Sequence, residues 1–172
     1  MNLPNSGEIN FTHLNDRGAA HMVDVTEKKT SARSATAVGR VKCSPIIIDA
    51  LRNGTVPKGD VLAVARIAGI QAAKRTPQLL PLAHVIGIHG ASVELTLDDE
   101  YVTIEAVVKT VDRTGVEMEA LTCVVVAALA IIDMVKGVDR GAEIVDCKII
   151  HKEGGRSGDW WRPGCRPSDA EK

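Results

Sequence analysis

The chain has 172 residues, 25% of them charged, and a formal net charge of −1. That length suits one domain with a substantial core and is short for two, and the balanced charge supplies no global basic field to draw the protein onto nucleic acid or anionic membrane. Aromatic residues are only 2%, with three of Phe11, Tyr101, Trp160 and Trp161 near the termini, so Ala, Val, Ile and Leu must build the core and few rings remain to stack exposed bases.

The opening "MNLPNSGEIN" has neither a basic start nor an apolar run, so no leader is expected and the chain reads as cytoplasmic. Residues 1–12 are expected to be a loose tail, 13–158 a single domain and 159–172 a second loose tail. Two strands are expected next, "AHMVDVT" and "TSARSATAVGRVKC", the second alternating small or apolar with polar residues. "SPIIIDALRNG" places a Ser at the cap, Pro45 in the first turn and Gly54 at the end, a short helix.

A second helix starts near Gly59 or Asp60 and runs through "VLAVARIAGIQAAKR" until Pro77 ends it. Gly69 in its interior gives up helix propensity, which points to close backbone packing. "HVIGIHGASVELTLDD" and "EYVTIEAVVKTVD" alternate at period two around an acidic turn and read as an antiparallel hairpin. A helix follows over "GVEMEALTCVVVAALAIIDMVK", whose aliphatic run near 123–132 is short of a membrane span, and "AEIVDCKIIHKE" supplies a last strand. This order predicts an α+β, ferredoxin-like sandwich: a mostly antiparallel sheet with helices on one face. Cys43, Cys123, Cys147 and Cys165 form no CxxC pair, so neither a metal site nor a disulfide framework is expected.

The long helix is charged at both ends. Asp133 and Lys136 share one face, either as a surface ion pair or as an acid/base beside a cation. Glu117 lies 16 residues before Asp133, about 24 Å along a helix. One small reacting centre cannot touch both ends within one chain, whereas a two-fold interface would bring opposite ends together. Lys58 precedes a helix N-terminus, where free N–H groups favour an anion. His84 lies where a loop enters the hairpin, as a structural or a substrate-reading histidine. "KEGGRSG" is glycine-rich without a P-loop ending and reads as a basic flap or an unstructured tail.

The runs "HMVDVTEK", "PKGDVLAVARIAGIQAAKRTPQLLPL", "TGVEMEALT", "AALAIIDMVKGVD" and "KEGGRSG", in order over residues 12–158, together resemble the cyclic pyranopterin monophosphate synthases, the C proteins of molybdenum cofactor biosynthesis. The resemblance implies a ferredoxin-like subunit in a homohexamer, a trimer of dimers, with the active site at a subunit interface. It implies a lyase that converts cyclised dihydroguanosine triphosphate to cyclic pyranopterin monophosphate and pyrophosphate, with no required cofactor beyond a magnesium ion that could accompany the triphosphate. Asp133 would be the acid/base and Lys136 its partner; Lys58, Arg33 and Lys152 would hold the triphosphate. Leu82, Ala83 and His84 match one substrate-contacting loop, Met118 and Glu119 another, and Glu117 would join the site. The chain departs from the family at Ala83 and Val85, where Cys and Pro are common, at Arg113 and Arg156, which replace lysines, and at Ile132, which replaces an aromatic residue.

Overall fold

The computed structural model describes residues 14–15, 17–156 and 158–167; the loose tail expected over 1–12 lies outside them. Strand β1 (Ser31–Lys42) is followed by helices α1 (Pro45–Asn53), α2 (Val61–Ala73) and α3 (Thr76–Leu79). Then come β2 (Gly90–Leu97), β3 (Tyr101–Asp112), α4 (Glu117–Val135), β4 (Glu143–Glu153) and the short β5 (Trp160–Trp161). The sheet order is β2-β3-β1-β4-β5, with every neighbouring pair antiparallel. This is the expected α+β sandwich in ferredoxin-like order, extended by one edge strand.

Alternation in β1 sends Ala35, Ala37, Gly39 and Val41 to the buried face, where Val102, Ile104, Ala106 and Val108 of β3 join them. Helix α4 lies across this face with Ala120, Cys123, Val124, Ala127, Ala128, Ile131 and Val135 buried. By length and composition the whole of α4 is long and apolar enough to cross a membrane, although the aliphatic run inside it is short for one. Here that run packs on the sheet and on α2, so its apolar character serves the core.

Small residues allow this close approach. A Cβ on Gly69 would lie 2.8 Å from the Cys123 carbonyl oxygen and 3.2 Å from the Ala127 Cβ, so the glycine is there for helix–helix contact, as its position suggested. On β1, a Cβ at Gly39 would meet Val124 and the Asp146 carbonyl. Gly69→Val should therefore destabilise the fold by about 1–3 kcal/mol through overpacking. A lowered denaturant midpoint at unchanged slope is the expected reading.

The ends of the elements have local causes. Asp60 caps α2 by accepting from Ala63 N–H at 2.9 Å. Asp98 shapes the β2–β3 turn, its Oδ1 accepting from the N–H groups of Glu100 and Tyr101. Gly54 ends α1 in the left-handed region. Ser44 holds the N-cap position of α1 without a side-chain cap bond; its N–H is instead taken by Asp139 Oδ2 at 2.6 Å.

Four local expectations are corrected. Residues 21–25 form no strand, Ala20 making only an isolated bridge to Leu14; the Val23 carbonyl instead accepts from His84. Pro77 opens the short α3, a place in the first helical turn that needs no donor. Residues 84–89 approach β2 without strand pairing. Within the expected C-terminal tail, β5 pairs with β4 through Trp161–His151 and Trp160–Lys152.

Candidate active site

The site residues fall into two clusters, one at each end of α4. At the C-terminal end Lys136 Nζ donates to Asp133 Oδ1 at 2.6 Å, both side chains well exposed. Lys58 donates to the Asp133 backbone carbonyl at 2.7 Å, crossing from the loop before α2. The helix supplies the spacing, and α2's N-terminus supplies the third group. The hydrogen bond and charge of Lys136, then the charge of Lys58, hold the Asp133 carboxyl below its ordinary value. It is therefore an anion, able to accept a proton, throughout the neutral range.

At the N-terminal end Lys152 Nζ and Glu117 Oε1 make a half-buried pair at 2.8 Å. Lys152 reaches the helix because its register partner Ala35 lies on the sheet's buried face. Arg33, two residues earlier on β1, donates from Nε to the Asp112 carbonyl at 3.0 Å and from Nη2 to the Arg113 carbonyl at 3.1 Å. Gly115 leaves the room that the Glu117 carboxylate occupies. The family resemblance assigns Lys58, Arg33 and Lys152 to the triphosphate; within one subunit Lys58 lies at the opposite end of α4, beside Asp133.

Leu82, Ala83, His84, Met118 and Glu119 line a cavity of about 410 Å³ at this N-terminal end. His84 donates from Nε2 to the Val23 carbonyl at 2.7 Å, since a carbonyl can only accept, so Nδ1 is left with a lone pair when the ring is neutral. Glu119 is 3% exposed. Burial raises its pKa most; its own backbone N–H opposes this, the Glu117 charge adds to it and His84 opposes it. A carboxyl so placed holds its proton to higher pH than usual and can donate a hydrogen bond. Its burial is legible in helical phase, because Glu119 stands four residues before the core Cys123.

The raised pKa has a consequence for stability. The folded state holds the Glu119 proton more tightly than the unfolded chain, so this contribution is complete below the ordinary carboxylate range and is lost as pH rises through the elevated value. Glu119→Gln should raise the melting temperature more at pH 8 than at pH 4. Thermal scans of both proteins at the two pH values check this.

Lys28 stands among these groups although the sequence does not single it out. It lines the 410 Å³ cavity, a small pocket of about 180 Å³ shared with Arg33, Glu117 and Lys152, and a larger cavity of about 850 Å³ that also takes Lys29, Arg33 and Arg156. The three spaces adjoin through Lys28. Its only signal in the sequence is its place at the end of the run "HMVDVTEK". Two glycines of "KEGGRSG" are explained by contact: Gly154, at φ +88°, abuts the Ala32 carbonyl and Gly155, at φ +71°, abuts the Arg33 guanidinium. A side chain at either position would be strained and would collide.

Cys43 and Cys123 are buried thiols of the core. Burial pushes the Cys123 thiol up to about 12, and burial with the Asp139 charge pushes Cys43 up to about 11. Among the described residues no cluster of three or more His, Cys, Asp or Glu side chains is arranged to hold a metal ion.

With these groups placed, comparison with known proteins is decisive. The sequence profile of the MoaC family matches residues 22–155. The chain belongs to the MoaC family. A relative from Streptomyces avermitilis, named cyclic pyranopterin monophosphate synthase, is 54% identical over 169 residues, covering 94% of this chain and 99% of its own length. A Nocardioides protein of the same name is 56% identical, with 89% and 96% covered. One from Chloroflexus aurantiacus is 53% identical, with 89% and 95% covered. MoaC proteins of this name are enzymes of molybdenum cofactor biosynthesis, and the match includes both ends of α4.

Proposed function

We propose that this chain is a cyclic pyranopterin monophosphate synthase, acting in the cytoplasm on cyclised dihydroguanosine triphosphate and releasing pyrophosphate. The carrying observation is the placement of an anionic proton acceptor with two lysines at one end of α4, and of a cation-lined cavity adjoining a buried carboxyl of raised pKa at the other. Asp133 takes and returns protons as the purine-derived ring opens and recloses, and the Lys136 ammonium stands next to it as donor. Arg33 and Lys152, with Lys28 and Arg156, neutralise the triphosphate. The ring-bearing half of the substrate lies against Leu82, Ala83, His84, Met118 and Glu119. A substrate hydroxyl then attacks the α-phosphate and pyrophosphate leaves, the charge that develops being met by fixed cations. Lys58, beside Asp133, faces this reacting end. No cofactor enters this reading, and magnesium, where present, travels with the triphosphate as part of the substrate.

The two clusters are joined by assembly. Between them the outer face of α4 carries Met118, Thr122, Val125, Leu129 and Ile132, spaced four, three, four and three, the seam of a helix pair. Leu129 is 52% exposed although apolar, and Ile67 of the neighbouring α2 is 67% exposed. Val125 is midway between Glu117 and Asp133. A second copy packed antiparallel about a two-fold axis at Val125 brings its Asp133 to the first copy's Glu117. Three such dimers make the homohexamer that the family resemblance implies.

Product analysis tests the activity. Purified protein given the cyclised dihydroguanosine triphosphate should yield cyclic pyranopterin monophosphate and pyrophosphate by mass spectrometry. Binding of that nucleotide with neither product would replace the synthase with a silent binding module.

A further inference from the structure

Strand β5 is two residues long and pairs with β4 at two positions only, far too little backbone pairing to hold itself. Side chains and one adjoining backbone bond hold it instead. The Trp161 ring stacks on His151, centroids 3.9 Å apart and planes 18° off parallel. Asp159 Oδ1 meets His151 Nε2 at 2.6 Å, and Arg166 approaches Oδ2 of the same carboxylate at 3.8 Å. Arg162 donates from Nε to the Ile149 carbonyl at 2.6 Å and from its backbone N–H to the Ile150 carbonyl at 2.8 Å. Its guanidinium also lies 5.9 Å from the Trp160 ring centre.

This clasp closes a turn that matters to the site. On one side stands Lys152, paired in register with Trp160 and bonded to Glu117. Within the turn Gly154, Gly155 and Gly158 all have positive φ, so the backbone has wide freedom to lose and little of its own to fix it. Arg156, on that turn, lines the 850 Å³ cavity with Lys28, Lys29 and Arg33. Strand alternation sends Trp161 and His151 to the face opposite Lys152, so the clasp acts on the site through β4 and the turn.

We propose that Asp159, Trp161 and Arg162 are positioning residues that hold Lys152 and Arg156 in place for a polyphosphate. This rests on the reading of the site as a triphosphate pocket. Loss of the clasp lets Arg156 and Lys152 spread, which weakens anion binding while Asp133 and Lys136, at the other end of α4, keep their chemistry. A displaced charged hydrogen bond to phosphate corresponds to about tenfold in affinity.

The test compares the full chain with Trp161→Ala, Trp161→Phe and Asp159→Asn, using inorganic tripolyphosphate in calorimetry, steady-state turnover, and trypsin cleavage after Arg156. Expected for Trp161→Ala is about tenfold weaker tripolyphosphate binding, a matching rise in KM with kcat within about twofold, and faster cleavage after Arg156. Trp161→Phe keeps a stacking ring and should behave as wild type, and Asp159→Asn should shift the same quantities in the same direction. Unchanged tripolyphosphate affinity and unchanged cleavage in both Trp161→Ala and Asp159→Asn overturn the inference, as does a fall in kcat with KM constant. A wild type without turnover would overturn the synthase reading, and binding and cleavage would then decide the clasp separately.

Discussion

Asp133→Asn should lower kcat by about 10²- to 10⁴-fold, the contribution expected of a general acid–base group. The substitution keeps the shape and the bond from Lys136 while removing the proton acceptor. Asp133 is exposed and outside the core, so stability should be little changed. Because the neighbouring lysines hold its carboxyl below the ordinary range, wild-type activity should not begin to fall on acidification until well below neutral pH, when the carboxylate finally takes up a proton. Kinetics with a melting curve on the same preparation separates a chemical from a structural loss. An Asp133→Asn protein that turns over at the wild-type rate would remove Asp133 from the reaction.

Val125→Glu should be as damaging from a position that touches no substrate. In a lone subunit this is a surface change, within about 0.5 kcal/mol of neutral. Across the proposed two-fold axis it would set two carboxylates opposite each other in an apolar seam, where unpaired buried charges cost several kcal/mol. The protein should sediment as a smaller species, melt as a folded domain, and show turnover as low as that of Asp133→Asn, because each pocket then lacks one half. Unchanged size and activity would place the interface elsewhere.

These expectations show which parts of the molecule were legible in the sequence. β1, α1, the β2–β3 hairpin, α4 and β4 follow from apolar period and from end signals such as Gly54 and the Asp98 turn. The supposed strand at 20–26 fails because alternation over a few residues does not say whether a partner edge is available; the Val23 carbonyl found His84 instead. β5 leaves no periodic trace, being held by a ring stack and a carboxylate. The separation of Asp133 from Glu117 was legible from helical rise alone. Lys28 was not, since only the folding of residues 23–33 around Arg33 gives it a place among three cavities.

The proposed shared pocket is tested most directly by mixing Asp133→Asn, lowered in kcat, with Lys152→Ala, lowered in substrate affinity, after dissociation and reassembly, at a substrate concentration where neither alone turns over appreciably. In a mixed dimer with shared pockets, one pocket carries both substitutions and the other carries neither. Random pairing should then restore about a quarter of wild-type turnover. A mixture that remains as inactive as its two components would mean that each subunit works alone, contrary to the arrangement of α4 described above.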